Sequence, residues 1–140
     1  MTELSLVIPT LNAGPEWERL LAMLRRQREY ADAELVVVDS GSTDGTPETA
    51  RAYGARVVRI DPAFFNHGET RNLGIRHTRG RLIALLTQDA QPAGEEYLAT
   101  LVRSLETEQA AGAYARQIPR PDASPLVRRD VEAWISGSLR

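Results

Sequence analysis

Residues 35–46, LVVVDSGSTDGT, decide the fold class of this chain. The first four are apolar and mostly β-branched without polar alternation, which predicts a strand buried on both faces. Asp39 follows this strand, and small polar residues and two glycines form the loop behind it. Thr46, Pro47 and Glu48 then predict a helix start, with a capping hydroxyl, a proline and an acid near the positive end. Alone, the stretch is explained equally well as an ordinary strand-to-helix connection, because Ser-Gly and Asp-Gly are common turn dipeptides.

The rest of the chain alternates predicted strands with predicted helices. Apolar runs predict strands at residues 4–8, 56–60 and 81–86, and a weaker pattern suggests a fifth strand at 110–115. Helical patterns begin near Pro15 and after Pro92, and cover 47–53, 69–78 and 126–135. This alternation predicts an α/β, Rossmann-like fold, with flanking helices on a mostly parallel sheet whose first strand is central.

Length, composition and charge restrict the class of protein. At 140 residues, with 42 % apolar and 26 % charged residues, the chain is expected to be a single globular domain, 1–140. A net charge of −2 gives no electrostatic reason for a nucleic-acid partner. The absence of cysteine excludes disulfides and thiolate metal sites. No apolar run approaches the roughly 20 residues that span a bilayer, and no signal peptide is recognisable, so a cytoplasmic location is expected.

Polar side chains follow three of the predicted strands. They are Thr10, Asn12, Asp39, Ser40, Ser42, Gln88 and Asp89. Because ligands bind beyond the carboxyl ends of parallel strands, these side chains are expected to line one crevice. Arg71, at the start of a predicted helix, can reach the same crevice, where a guanidinium suits a phosphate or a nucleobase carbonyl.

Asp89 is the candidate metal ligand. A carboxylate at this position can hold a divalent cation, Mg²⁺ or Mn²⁺, whose remaining ligands include the phosphates of the substrate. The cation would neutralise a leaving nucleoside diphosphate. The structural alternative is an aspartate that starts a turn before Pro92.

The last predicted helix carries an apolar stripe that needs a partner. The stripe consists of Val127, Val131, Trp134 and Ile135. It can pack on the preceding sheet, on a second copy of the chain in a homodimer, or on residues further downstream.

Four motifs together resemble the family 2 glycosyltransferases of GT-A fold. They are VIPTLN at residues 7–12, VVDSGSTDGT at 37–46, RNLGI at 71–75, and an apolar strand that ends in Gln88 and Asp89. The resemblance covers roughly residues 4–105 and corresponds to the nucleotide-binding half of such enzymes. It implies that Asp39 contacts the base of a sugar-nucleotide donor and that Asp89 binds the metal. It also implies that the loop holding Pro9, Thr10 and Asn12 wraps the nucleoside, and it places Ser40, Arg71 and Gln88 at the donor site.

Three further segments resemble the rhamnosyltransferase-like branch of that family. They are FNHGETRNLGI at residues 65–75, TQDAQP at 87–92 and ARQIPRP at 115–121. The branch implies dTDP-L-rhamnose as the donor. The expected activity is inverting transfer of a sugar, rhamnose in this interpretation, from a nucleotide-diphosphate donor to a saccharide acceptor during polysaccharide biosynthesis. A membrane-linked acceptor would imply peripheral association with the membrane.

Two departures from the family pattern limit this prediction. Thr87 replaces the first aspartate of the family's D-x-D motif, and the only later aspartates, Asp122 and Asp130, do not match the family's catalytic base. The catalytic residues are therefore unassigned, and the chain is expected to lack the acceptor half. The alternative function is a non-catalytic sugar-nucleotide-binding or dimeric interaction module. A nucleotidyltransferase is disfavoured, because the first loop lacks the glycine-rich arginine and lysine pattern of those enzymes.

Overall fold

The computed structural model describes residues 3–137, with side chains as far as residue 133. The chain divides into two compact units, the first ending at Ala99 and the second beginning at Thr100. The elements are β1 (Leu4–Thr10), α1 (Trp17–Leu24), β2 (Glu34–Asp39), α2 (Thr46–Ala52), β3 (Arg56–Arg59), α3 (His67–Arg76), β4 (Leu82–Leu85), α4 (Tyr97–Thr107) and α5 (Pro125–Gly137). A single 3₁₀ turn, Pro62–Phe64, lies between β3 and α3.

The four strands form one parallel sheet in the order β3-β2-β1-β4. The predicted α/β, Rossmann-like class is therefore confirmed, and β1 lies inside the sheet as expected. Residues 35–38 of β2 are at most 3 % exposed, as their unbroken apolar run predicts. This burial fixes the position of Asp39 at the carboxyl edge of the sheet.

β1 runs one residue beyond Pro9, where the sequence predicts that it stops. Pairing of β1 with β4 ends at Val7 and Leu85, so Pro9 lies beyond the ladder on that side. The missing N–H of Pro9 therefore costs no ladder hydrogen bond. The extension places Thr10 directly beside Asp39 of β2.

α3 lies against β1 and β2 at a distance that only glycine allows. A Cβ on Gly74 would lie 3.1 Å from Cγ2 of Val38 and would overlap with Val7. Periodicity predicts Leu73 and Ile75 as the apolar anchors, yet both are only half-buried, and the buried residues of α3 are Thr70 and Gly74. The helix thus packs through its smallest residue, because a close backbone approach buries more surface there.

α1 packs through the apolar face that its periodicity predicts. Trp17, Leu20, Leu21 and Leu24 are all at most 2 % exposed. After α1, the buried amide of Gln27 donates to the carbonyl of Gly94 at 2.9 Å and accepts from the amide of Leu98 at 3.0 Å. These bonds join the end of α1 to the start of α4.

The second unit contains most of α4, an irregular segment and α5. The fifth strand suggested at residues 110–115 is wrong, since this described segment has no strand. Its alanine and glycine content gives low strand propensity. In α5, Leu126 and Val127 are exposed by 59 % and 50 %, while the side chains of Trp134 and Ile135 lie outside the described residues. Among the helices of residues 3–137, none is both long and apolar enough to cross a bilayer.

Candidate functional site

Asp39 lies at the centre of the polar carboxyl edge of the sheet and is fully buried. Its Oδ1 accepts hydrogen bonds from Oγ1 of Thr10 at 3.1 Å and from Oγ of Ser42 at 2.5 Å. Its Oδ2 accepts from the amides of Gly41 at 3.2 Å and Ser42 at 3.0 Å. A carboxylate has about four acceptor positions, so these donors satisfy the buried group completely.

The loops after β1 and β2 are joined through Asn12. Its amide donates to Oγ of Ser42 at 2.8 Å, and its side-chain Oδ1 accepts from the amide of Thr43 at 2.8 Å. Asn12 has a φ of 44°, a left-handed conformation that asparagine tolerates better than most residues. The turn at Asn12 and its side-chain bond therefore hold the two loops in register.

A second set of bonds between the same loops is built on Asp44 and Thr46. Oγ1 of Thr46 accepts from the amide of Ala13 at 2.9 Å, and Oδ2 of Asp44 accepts from the amide of Gly14 at 3.1 Å. The Thr46 hydroxyl donates to Oδ1 of Asp44 at 2.6 Å. This hydrogen bond, with amide donors from Gly14 and Thr46, lowers the pKa of Asp44. Asp44 thus stays ionised as an acceptor for both loops.

The predicted capping role of Thr46 is wrong. The N-cap of α2 is Gly45, with a φ of 83° and no side-chain cap, and Thr46 is the first helical residue. Asp44 accepts from the amide of Thr46 at 3.1 Å instead. The threonine hydroxyl is used to bind the neighbouring loop, which no helix-start pattern indicates.

The side-chain hydroxyl of Ser40 is buried without a hydrogen-bond partner in the described chain, although the backbone amide of Ser40 donates to the carbonyl of Thr10 at 2.9 Å. Ser40 is 1 % exposed, and within the described chain its Oγ is the buried side-chain atom that lacks a partner. Because side chains alternate along a strand, Ser40 shares the face of Val38, which packs under Gly74 of α3. An unpaired buried hydroxyl is costly, so a ligand or water that pairs with it is favoured.

Gln88 is held against the first loop. Its Oε1 accepts from the amide of Leu11 at 2.8 Å, and its Nε2 donates to the carbonyl of Leu11 at 3.2 Å. The side chain thus continues the backbone pairing of β1 beyond the end of β4. Both polar atoms of the amide bond to the backbone of Leu11, so Gln88 supports the loop after β1.

Asp89 is exposed on the turn that follows β4. The amide of Ala90 donates to the carbonyl of Thr87 at 3.1 Å and closes this turn. Within residues 3–137, no group of three or more histidine and acidic side chains is arranged to hold a metal ion. An exposed carboxylate fits a Mg²⁺ or Mn²⁺ site of the type in which one or two carboxylates share the ion with substrate phosphates.

Arg71 lies on the first turns of α3, at the same edge of the sheet. It is half-buried, and its Nη1 donates to the carbonyl of His67 at 2.9 Å. Asn66 caps α3 by accepting from the amides of Gly68 and Glu69 at 2.9 and 3.1 Å, a role that the sequence analysis does not identify. The ring of His67 contacts Phe65 edge-on, with centroids 4.9 Å apart.

The predicted site residues divide into two groups. Thr10, Asn12 and Asp39 are brought into one hydrogen-bond network, and Gln88 joins it through Leu11. Pro9, Ser40, Arg71 and Asp89 lie at the same edge of the sheet, and the bonds described above do not link them to Asp39. Sequence reasoning does not recognise the bonds that Asp44 and Thr46 make between the loops, although the density of small polar residues is a signal for such turns.

The family model for glycosyl transferase family 2 matches residues 5–137. This chain belongs to that family. It is 39 % identical over 126 residues to the O-antigen chain rhamnosyltransferase RfbN of Salmonella typhimurium, covering 89 % of this chain and 40 % of that protein. It is 32 % identical over 128 residues to the O-antigen chain rhamnosyltransferase WbaN of Salmonella anatum, covering 90 % and 40 %.

Solved structures share the fold of this chain. A mannosyltransferase of Pyrobaculum calidifontis, in complex with GDP-Man and Mn²⁺, is 28 % identical with a TM-score of 0.65 and covers 74 % of this chain and 32 % of that one. TarS of S. aureus, residues 1–349, is 20 % identical with a TM-score of 0.67 and covers 89 % and 41 %. The second likeness supports the fold alone. This family 2 chain spans 40 % of the length of RfbN and of WbaN.

Proposed function

We propose that this chain forms the donor-binding part of an inverting glycosyltransferase, which transfers a sugar from a nucleotide-diphosphate donor to a saccharide acceptor. The observation that carries the proposal is the buried Asp39 at the carboxyl edge of a parallel sheet, enclosed by two loops that are already hydrogen-bonded to each other. In open α/β sheets this edge is where ligands bind. Membership of family 2 supports sugar transfer as the purpose of that site.

The donor nucleoside is proposed to lie over the loops that follow β1 and β2. Asp39 would accept a hydrogen bond from the base, while Pro9, Thr10 and Asn12 shape the wall around the nucleoside. Arg71 supplies a cation close to the same edge, suited to a phosphate or a base carbonyl. Ser40 offers a buried hydroxyl that still needs a partner, and Gln88 supports the first loop through Leu11.

A divalent cation, Mg²⁺ or Mn²⁺, is proposed to bind at Asp89. The exposed position of this carboxylate on the turn after β4 leaves room for the diphosphate to supply further oxygen ligands. When bound, such a cation stabilises the negative charge of the leaving nucleoside diphosphate. The Mn²⁺ present with GDP-Man in the Pyrobaculum mannosyltransferase supports the use of such a cation in this fold.

Rhamnose, delivered as dTDP-rhamnose, is the proposed sugar. The names of RfbN and WbaN, both O-antigen chain rhamnosyltransferases, support rhamnose transfer to a growing saccharide. A membrane-linked acceptor would bring the protein to the membrane surface as a peripheral partner. The exposed Leu126 and Val127 of α5 support the further proposal that this helix joins two copies in a homodimer.

Calorimetric titration tests the proposal. dTDP and UDP are titrated into the 140-residue chain with and without Mn²⁺, for the wild type, Asp89→Ala and the matched control Asp122→Ala. We expect nucleotide binding that Mn²⁺ strengthens in the wild type and in Asp122→Ala, and that Mn²⁺ no longer strengthens in Asp89→Ala. Binding that is independent of Mn²⁺ and unchanged by Asp89→Ala would refute the metal role, and absence of any nucleotide binding would refute the donor site.

A further inference from the structure

The buried carboxylate of Asp39 has no free position for a ligand. Its four acceptor positions are filled by two hydroxyls and two backbone amides. A nucleobase N–H can therefore reach Asp39 only if one of these donors leaves. Identifying the donor that leaves identifies how the site opens.

Three of the four donors are held in place by the fold. The amides of Gly41 and Ser42 belong to the turn around Asp39, and the hydroxyl of Thr10 lies on β1 at a residue only 3 % exposed. The Ser42 hydroxyl differs, because it is on a half-exposed loop residue and can leave by rotation about a single side-chain torsion. The two amides can leave only with backbone movement, and of the two hydroxyls that of Ser42 is on the more exposed residue, so it has room to change rotamer.

Rotation of Ser42 releases two groups at once. Its Oγ lies 2.5 Å from Oδ1 of Asp39 and 2.8 Å from the amide nitrogen of Asn12, and it bonds to both. Departure of the hydroxyl leaves an acceptor on Asp39 beside a donor on Asn12. The bond between Oδ1 of Asn12 and the amide of Thr43 stays intact, so the two loops remain aligned.

We propose that the Ser42 hydroxyl is a latch, which occupies in the nucleotide-free protein the two hydrogen-bond positions that a nucleobase takes. The acceptor–donor pair beneath it complements a base edge that presents an N–H beside a carbonyl, as thymine, uracil and guanine do. This inference rests on the proposed donor site and deepens it. It makes Ser42 a determinant of nucleotide affinity, although Ser42 itself need not touch the nucleotide.

The latch predicts the direction in which nucleotide affinity changes when the Ser42 hydroxyl is removed. In the wild type, part of the binding free energy is used to break the two bonds of the Ser42 hydroxyl. Ser42→Ala removes both bonds in advance, so no binding free energy is used to break them. The nucleotide should therefore bind about three- to tenfold more tightly. Ser42→Thr keeps a hydroxyl and should bind with near wild-type affinity. A purely structural role predicts the opposite for Ser42→Ala, because looser loops bind more weakly.

Calorimetry with dTDP and UDP on the 140-residue chain provides the test. The variants are Ser42→Ala, Ser42→Thr and the control Ser104→Ala, which removes a serine hydroxyl that bonds within α4. Tighter binding by Ser42→Ala alone supports the latch. Equal or weaker binding by a folded Ser42→Ala, as judged by circular dichroism, overturns it and leaves the donor site intact. If the wild type binds neither nucleotide, the proposed function and the latch both fail.

A measurement on the wild type keeps the latch testable if Ser42→Ala does not fold. The Asn12 amide proton must exchange its Ser42 partner for the ligand when dTDP binds. We expect its NMR signal to shift strongly in a dTDP titration, together with that of Ser42, while the amide of Thr43 shifts little. An Asn12 signal that stays in place at saturating dTDP contradicts the latch.

Discussion

The two ends of the paired strands β1 and β2 each carry a hydroxyl–carboxylate pair, but the connections that surround the two pairs differ. Ser5 pairs with Glu34 at the amino end, and Thr10 pairs with Asp39 at the carboxyl end, in one parallel register. In each pair the hydroxyl donates to the carboxylate, at 2.6 Å for Ser5 and at 3.1 Å for Thr10.

At the amino end the pair is closed by the connection between α3 and β4. Glu34 also accepts from the amide of Arg79 at 2.7 Å, and Oγ of Ser5 accepts from the amide of Gly80 at 2.8 Å. The connection is only five residues long, 77–81, and lies directly on the strand ends. The carboxylate there serves as a fixed joint between sheet and connection.

At the carboxyl end the residues around the hydroxyl–carboxylate pair belong to two loops instead of one connection. The loops after β1 and β2 each contain six residues, 11–16 and 40–45, and their polar groups bond mainly to one another. Ser42 and Asn12 remain half-exposed or exposed above Asp39. The comparison shows that the bonding of the connections, and not the hydroxyl–carboxylate pair itself, separates a structural joint from a candidate binding site: one connection bonds to the strand ends, and two loops bond to each other.

The largest effect is expected from crowding the amino end. A Cβ on Gly80 would lie 2.6 Å from Oγ and 2.7 Å from the amide nitrogen of Ser5. Gly80→Ala should therefore lower the free energy of unfolding by about 3 kcal/mol, the upper range for overpacking a close contact. Urea denaturation measures this loss. Gly94→Ala is the control, because a Cβ on Gly94 meets nothing within 4 Å, and equal stability of the two variants would contradict the tight joint.

The next effect separates the two carboxylates by function. Asp39→Asn replaces one carboxylate oxygen with an NH₂ group, which then faces two of the four hydrogen-bond donors. This mismatch should cost roughly 2 kcal/mol of stability. The lost acceptor should also weaken dTDP binding roughly tenfold or more. Glu34→Gln makes the same chemical change at the other end of the strands and should cost about 1 kcal/mol of stability, with dTDP affinity unchanged. Urea denaturation and calorimetry on the two variants measure both quantities.

Two outcomes would undo this separation. If folded Asp39→Asn binds dTDP as the wild type does, Asp39 is as structural as Glu34 and the base contact lies elsewhere. If Glu34→Gln weakens dTDP binding as much as Asp39→Asn, the two ends are coupled through β1 and β2, and the carboxyl end does not act as an independent site.

The sheet and the central site residues are predictable from the sequence because they follow from patterns within single elements. The unbroken apolar run before Asp39 predicts its burial, and the polar residues after β1 and β2 predict the convergence of Thr10, Asn12 and Asp39. Such patterns depend on local periodicity and on the rule that parallel strands end at the same edge. They require no knowledge of which atoms meet.

The remaining features depend on contacts between distant segments. Gly74 is buried because Val7 and Val38 meet it, and Gln88 is oriented by the backbone of Leu11, 77 residues earlier. The continuous apolar run of β4 predicts burial, yet Leu85 is 49 % exposed, on the face of β4 that it shares with Ile83, which is 39 % exposed. Sequence patterns do not contain these distances. The sequence therefore predicts which residues lie at the carboxyl edge of the sheet better than it predicts the atoms to which each residue bonds.

The smallest effect concerns the response of the amino end to acid. Burial alone would raise the pKa of Glu34, but the Ser5 hydroxyl, the Arg79 amide and the charge of Arg56 hold that pKa below its ordinary value of 4.5. A carboxylate whose pKa is lower in the folded state stabilises the fold above its unfolded pKa. This stabilisation is lost as the pH falls below 4.5 and through the folded value.

The wild type should therefore lose more stability than Glu34→Gln between pH 6 and about pH 3, by on the order of 1 kcal/mol, the scale of one hydrogen bond to a charged group. Urea denaturation at several pH values measures the two curves, which should converge at the acid end because protonated Glu34 and glutamine are both neutral. Glu132→Gln, at an exposed position on α5, is the control and should follow the wild type. Parallel curves for the wild type and Glu34→Gln would show that the joint does not depend on the charge of Glu34, and that the hydroxyl and amide bonds alone hold the amino end closed.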